Sequence, residues 1–175
     1  MELKRVVITG LGALTPIGND VATTWENAKA GKSGASPITH FDAAKFKTQF
    51  ACEVKDFDPS AHFDRKKARQ LDLYAMYALK AADEAIEDAG LEGEGVDKNR
   101  VGVIFAAGIG GLHTFEEEAG YFALHGSEQG PKYNPFFIPK MIADIAAGHI
   151  SIEHEFRGPN FATVSACASS NHALI

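Results

Sequence analysis

Cysteine is scarce in this chain of 175 residues: Cys52 and Cys167 are the only two. Two thiols make no disulfide framework, so a reducing cytosol is the expected setting. Positive charge is short as well. Lys and Arg number 17 against 23 Asp and Glu, a net charge of −6, which argues against nucleic acid as a general partner. No apolar run approaches the ~20 residues that cross a bilayer, so no membrane span is expected. Val6–Ile8 is too short for the apolar centre of a signal peptide and runs straight into Gly10. Metal-ligand spacing is missing too. His149 and His154 are five apart, which puts them off a common helix face, and no zinc pattern occurs. All seven histidines read as structural or surface residues.

Two glycine-bearing turns invite a cofactor reading and lack the residue it needs. Gly10 and Gly12 begin a G-x-G-x-x-G pattern, but Thr15 takes the third place and Pro16 follows. A tight strand-to-helix connection accounts for that pattern better than a dinucleotide site. Gly108-Ile109-Gly110-Gly111 could cradle a phosphate but carries no P-loop lysine. It reads as a loop where glycine lets backbone approach a ligand. No cofactor is expected.

Hydrophobic residues make up 45% and charged residues 23%, ordinary for a soluble domain with a sizeable core. The runs at 5–9, 100–107 and 161–166 read as buried strands. Helices are expected from Asn19 or Asp20 to about Ala30, from Asp64 to Ala89, from Phe115 to His125 and from Met141 to about Phe156. Gly31 and Gly90 stand as stops. Strands alternating with helices give an α/β architecture. The helix from Asp64 has an apolar face of Ala68, Leu71, Ala75, Ala78, Ala82 and Ile86. It opens oddly, with Arg65, Lys66, Lys67 and Arg69 in its first turns, where cations oppose the helix dipole. That patch is either a solvated face or a dock for an acidic partner.

The last fifteen residues carry the chemistry. Phe161–Ala166 reads as a strand, and a helix is expected from Ala168 with Ser169 and Ser170 able to accept from its free N–H groups. Cys167 sits at the join. A thiolate is favoured where unpaired N–H donors converge, and the same donors can hold an oxyanion. Ala166, Ala168 and Ser169 are small enough for a sharp turn and a close substrate. Cys167 therefore reads as a nucleophile on an elbow. Cys52, with acidic neighbours Glu53 and Asp56, whose charges oppose a thiolate, reads as non-catalytic.

R-G-P-N-F-A-T-V-S-A-C-A-S-S-N-H-A-L at 157–174 resembles the active-site segment of the β-ketoacyl-acyl-carrier-protein synthases, closest to the elongating type II enzymes of bacterial fatty-acid synthesis. V-V-I-T-G-L-G-A-L-T-P-I-G at 6–18, G-I-G-G at 108–111 and N-P-F-F-I-P at 134–139 resemble further signatures of that family, in the right order. The resemblance implies a thiolase-like fold of α-β-α-β-α layers, dimeric and built from two similar halves. Residues 1–175 would form the N-terminal half-domain, which fits the lack of an internal repeat. The implied reaction is a decarboxylating Claisen condensation of an acyl thioester with a malonyl thioester. Cys167 would be the acyl acceptor, and its backbone N–H one oxyanion donor. Ile109, Phe137 and Ile138 would line the acyl chain. Lys66 and Arg69 would meet an acidic acyl carrier protein. The family's catalytic histidines, lysine and second oxyanion donor would lie beyond Ile175.

Two rival readings are a non-catalytic chain-length or scaffold subunit, which would lack the cysteine, and a cysteine hydrolase, which needs a histidine against the thiol. Residues 1–175 in isolation are expected to show no condensation. Release of labelled CO₂ from malonyl-acyl carrier protein by this segment alone would refute that.

Overall fold

The computed structural model describes residues 4–175. The chain divides into two compact units. One comprises the residues up to Asp58 together with Lys80–Gly93; the other comprises Pro59–Leu79 and Glu94–Ile175.

In the first unit, α1 spans Val21–Lys29. Asp20 caps it, accepting from Thr23 N–H at 2.6 Å and from Thr23 Oγ1 at 2.9 Å. These two bonds hold the Asp20 carboxyl below the usual carboxylate range. Gly31, at φ +66°, ends the helix as expected. Thr15, at the position of the missing third glycine, closes a turn: Thr15 N–H donates to Gly18 O at 2.8 Å. The irregular stretch that follows holds one short antiparallel pair, β1 (Ser36–Pro37) with β2 (Phe50–Ala51).

The strand expected at 5–9 does not form. Strand hydrogen bonds need a neighbouring strand, and none pairs with this segment among the described residues. Val6 and Ile8, expected to be buried, are 90% and 81% exposed. The residues that follow are instead tied to the C-terminal part of α3 (Leu73–Asp88). Leu11 N–H donates to Asp88 at 2.9 Å, and Ala13 N–H to Glu84 at 2.9 Å. Gly12 lies so close that a Cβ there would stand 1.8 Å from Ala81 O.

The second unit corrects the long helix expected from Asp64 to Ala89. Asp64 does cap a helix, accepting from Lys67 N–H at 2.8 Å, but this helix, α2, is only Arg65–Ala68. The chain breaks and restarts as α3 because Asp72 is drawn inward. Its carboxylate accepts from Tyr74 N–H at 3.1 Å, from Thr114 N–H at 3.1 Å and from Thr114 Oγ1 at 2.6 Å. Leu71, Ala75 and Ala78 of the expected apolar face are buried.

β3 (Val103–Ala106) and β4 (Asn160–Thr163) form a parallel pair with Val103 opposite Asn160 and Ala106 opposite Thr163. Parallel strands need a long crossover, supplied by α4 (Leu112–Gln129), α5 (Phe137–Met141) and α6 (Ile145–His154). α4 outruns the expected Phe115–His125, ending at Gly130 with φ +73°. The helix expected over 141–156 is interrupted at Ile142, whose backbone is extended and whose carbonyl accepts from the Tyr74 hydroxyl at 2.5 Å. α6 packs on both strands, burying Ala146, Ala147 and Ile150. Asn160 Nδ2 reaches Ala147 O at 2.8 Å and Ser151 Oγ at 2.7 Å, fixing the start of β4. The outer faces stay open: Ile104 and Phe161 are exposed.

Burial, with the Asp72 and Asp144 carboxylates nearby, pushes the Tyr74 phenol well above its ordinary value. The raised value means that the folded state favours the neutral phenol. The associated stability is complete below the unfolded pKa of ~10 and is lost as pH rises past it. Tyr74→Phe is expected to lower stability at neutral pH by ~1 kcal/mol through the lost hydrogen bond. It should also flatten the alkaline fall in urea midpoint; an unchanged alkaline arm would count against this account.

Candidate active site

The site is assembled at the carboxyl ends of β3 and β4. β4 stops at Thr163, and three residues later the backbone turns through Ala166 with φ +49°. A left-handed conformation at a residue with a Cβ needs surrounding structure to hold it. Ala166–Ala168 form one 3₁₀ turn, and α7 runs from Ser169 to Leu174. Cys167 sits in the middle of that turn with its side chain exposed. The expected strand–nucleophile–helix order is present, but the residues after the thiol differ in detail. Ala168 N–H donates to Ser165 O at 3.1 Å, and Ser169 N–H donates back to Ala166 O. Two donors expected to be free are thus engaged. Among the described residues no acceptor takes Cys167 N–H.

Ser169 is the residue whose role the sequence did not disclose. Its expected part is to accept from helix N–H groups. Instead its buried hydroxyl turns back onto the elbow. It accepts from Ser165 N–H at 2.8 Å and donates to Ala166 O at 2.7 Å. Its carbonyl accepts from Thr163 Oγ1 at 2.9 Å. Ser165 Oγ lies 2.6 Å from His172 Nδ1, so that ring nitrogen is taken by a serine and is not free to serve the thiol. A serine run near a helix start was the only available signal, and it suggests a different partner.

The glycine loop 108–111 follows β3 and runs beside the elbow. A Cβ on Gly108 would lie 3.9 Å from Ala166 O. At its other end the loop is seated on α5: Gly111 N–H donates to Met141 O at 2.9 Å. Gly110 has φ +94°, and a Cβ there would stand 2.4 Å from Met141 O, which leaves no room for a side chain. Ile109 projects from this loop and is 66% exposed. Phe137 and Ile138 lie on α5. Phe137 stacks between Phe115 and Tyr133, with ring centroids 6.3 and 5.6 Å away. Ile138 is exposed. The loop carrying Ile109 therefore touches both the Cys167 elbow and the short helix carrying Phe137 and Ile138.

The basic run divides. Lys67 pairs with Glu153 of α6 and lies over the Phe63 ring at 5.7 Å. His149 is close by, its imidazole held below its ordinary value first by burial and then by Lys67, with Glu153 opposing. Arg65, Lys66 and Arg69 remain available and share one surface depression with Gln70 and Phe136, the residue that precedes Phe137. Cys52 belongs to the first unit, next to Glu53, whose carboxylate is bound by Thr39. Among the described residues no cluster of His, Cys, Asp or Glu is arranged to hold a metal ion. No helix there is long and apolar enough to cross a membrane.

The Beta-ketoacyl synthase, N-terminal domain, family matches residues 3–175. The chain is 47% identical over 175 residues to the 3-oxoacyl-[acyl-carrier-protein] synthase 2 of Coxiella burnetii (strain RSA 493 / Nine Mile phase I), covering 99% of this chain and 41% of that protein. The solved β-ketoacyl synthase of Burkholderia phymatum STM815 superposes on 98% of this chain and 42% of its own, with TM-score 0.77 and 26% identity. A type II ketosynthase solved with its acyl-carrier protein, AntDE:AntF, shares the fold at TM-score 0.76 and 22% identity, over 98% of this chain and 45% of its own. The chain thus spans under half the length of these relatives, and its fold is the N-terminal half of the thiolase-like architecture.

The loop seat predicts opposite outcomes for two glycines. Gly110→Ala is expected to destabilise by about 1–3 kcal/mol, since both its φ and the Met141 carbonyl oppose a Cβ. Gly120→Ala, inside α4 where a Cβ meets nothing within 4 Å, should stabilise by ~0.5–1 kcal/mol. Urea unfolding of the two variants checks both signs.

Proposed function

The chain belongs to the β-ketoacyl synthase family, and on that footing we propose that the full protein elongates fatty acyl chains by decarboxylating condensation, with Cys167 as acyl acceptor. The observation that carries the reading is the exposed thiol on a positive-φ elbow, beside a glycine loop and with its own backbone N–H unclaimed. A thiol buried in apolar packing would be inert; this one is open to a thioester carbonyl.

In the first half-reaction the Cys167 thiolate attacks the carbonyl of an acyl-carrier thioester. The C–S bond to the carrier breaks, the carrier sulfur leaves as a thiolate and takes up the proton that Cys167 released on ionising, and an acyl-cysteine thioester remains. The tetrahedral oxyanion that forms on the way accepts a hydrogen bond from Cys167 N–H. In the second half, a malonyl thioester loses CO₂. Its enolate carbon attacks the acyl-cysteine carbonyl, the Cys167 sulfur leaves, and a 3-oxoacyl thioester two carbons longer departs. Ile109, Phe137 and Ile138 supply apolar surface for the acyl chain, worth ~0.8 kcal/mol for each CH₂ they bury.

Lys66 and Arg69 are the docking cations for an acidic acyl carrier protein. Arg65 adds to the same depression, and Phe136 joins it to α5. In AntDE:AntF a type II acyl-carrier protein is bound to its ketosynthase, which supports a partner of this kind. The full protein is read as a homodimer, and the two free cysteines suit a reducing cytosol.

Incubation with a medium-chain acyl-acyl carrier protein should add the acyl mass in a denaturing intact-mass spectrum, and Cys167→Ala should abolish it. An adduct that survives Cys167→Ala would remove the thiol from the mechanism. Lys66→Glu with Arg69→Glu should slow acyl transfer from the carrier protein by about tenfold at low salt, less at high salt. Transfer from a small acyl-pantetheine thioester should be unchanged. Equal slowing of both donors would mean that the patch does not dock the carrier.

A further inference from the structure

The elbow contains a residue in the left-handed region, and the buried serine that holds it has no step in the two half-reactions above. Ala166 has φ +49°, an arrangement that relaxes unless neighbouring structure over-determines it. Neighbouring bonds do so from three sides. Ser169 is 4% exposed, and its hydroxyl accepts from Ser165 N–H on the strand side of Ala166 at 2.8 Å and donates to the Ala166 carbonyl at 2.7 Å. Ser169 N–H donates to that same carbonyl. Thr163 Oγ1, at the last residue of β4, donates to Ser169 O at 2.9 Å. One side chain thus ties the residue before the left-handed turn to the carbonyl of the turn residue itself, and its backbone is pinned to the strand.

Cys167 is the residue between the two ends of this clamp. The direction of its N–H is set by the peptide plane it shares with Ala166, and that plane turns with the Ala166 torsions. We propose that Ser169 is a positioning residue for acyl transfer: its hydroxyl fixes the Ala166 turn, and through it aims the Cys167 N–H at the developing oxyanion. The proposal rests on the reading of Cys167 as acyl acceptor. It differs from a structural role in what it affects. Acylation passes through an oxyanion and needs the aimed N–H. Alkylation of the same thiol by iodoacetamide displaces iodide in one step, forms no oxyanion, and depends on thiolate content and access.

The experiment compares the full chain with its Ser169→Ala, Ser169→Thr and Ser170→Ala variants. Two rates are measured for each: acyl transfer to Cys167 from a medium-chain acyl-acyl carrier protein, followed by intact mass, and alkylation by iodoacetamide across pH 6–9. Small misplacements at reacting centres cost one to two powers of ten, so Ser169→Ala should lose about tenfold or more in acylation. Its alkylation rate and pH profile should stay within about twofold of the parent. Ser169→Thr, which keeps a hydroxyl, should recover acylation, and Ser170→Ala should match the parent. Parent-like acylation in Ser169→Ala would overturn the positioning role while leaving Cys167 as acyl acceptor. A parallel loss of acylation and alkylation in Ser169→Ala, not restored by Ser169→Thr, would also overturn it, in favour of general support of the fold. Acyl uptake unaffected by Cys167→Ala would overturn the acceptor assignment and this proposal together.

Discussion

The parallel pairing of Val103–Ala106 with Asn160–Thr163 is the constraint on which the rest of the site depends. Parallel strands end on the same side, so whatever leaves their carboxyl ends meets there. Here the glycine loop 108–111 leaves one strand and the Cys167 elbow leaves the other. The ladder continues one residue further, with Ala107 N–H donating to Thr163 O at 3.3 Å, so the loop and the elbow diverge only at the site. An antiparallel pair would have sent them to opposite ends. The close approach also needs residues without bulk at the other end of the pair. A Cβ on Gly102 would stand 2.8 Å from Pro159 O, and one on Gly158 2.6 Å from Val101 O.

Around this pair, the second unit uses buried carboxylate and hydroxyl groups where the sequence pattern suggests continuous helix. Asp72 turns inward to Thr114 and starts α3 afresh. Tyr74 takes the Ile142 carbonyl and divides the segment expected to be one helix from Met141 to Phe156. Each interruption has a positional effect. The first sets the short helix of Arg65–Ala68 apart, so that Arg65, Lys66 and Arg69 face a depression while Lys67 pairs elsewhere. The second leaves Phe137–Met141 as a single turn that seats the glycine loop. Pro139 sits in that turn's first residues, where a missing N–H has no cost.

The exposed apolar residues obey the same logic. Val6, Val7 and Ile8 have the composition of a buried strand and stand open to solvent. Composition expresses a preference for a pleated, covered surface. It does not supply the neighbouring strand that provides the hydrogen bonds, and no described residue does so for this segment.

Local chemistry was legible in the linear chain wherever a residue acts on its immediate neighbours. Asp20 and Asp64 cap the turns that follow them, Gly31 and Gly90 take positive φ, and small residues flank the thiol between a β-branched run and a polar helix start. The motifs at 6–18, 108–111, 134–139 and 157–174 also carry the family. What the linear chain did not contain were contacts between residues far apart in it. Asp72 meets Thr114 across 42 residues and Tyr74 meets Ile142 across 68; both override a helical periodicity that local propensity supports. Ser169 lies only three residues from Ala166, yet its role was equally hidden. A serine beside a helix start can turn its hydroxyl forward into the helix or back onto the elbow, and only the folded backbone, with Ala166 forced left-handed, selects the second.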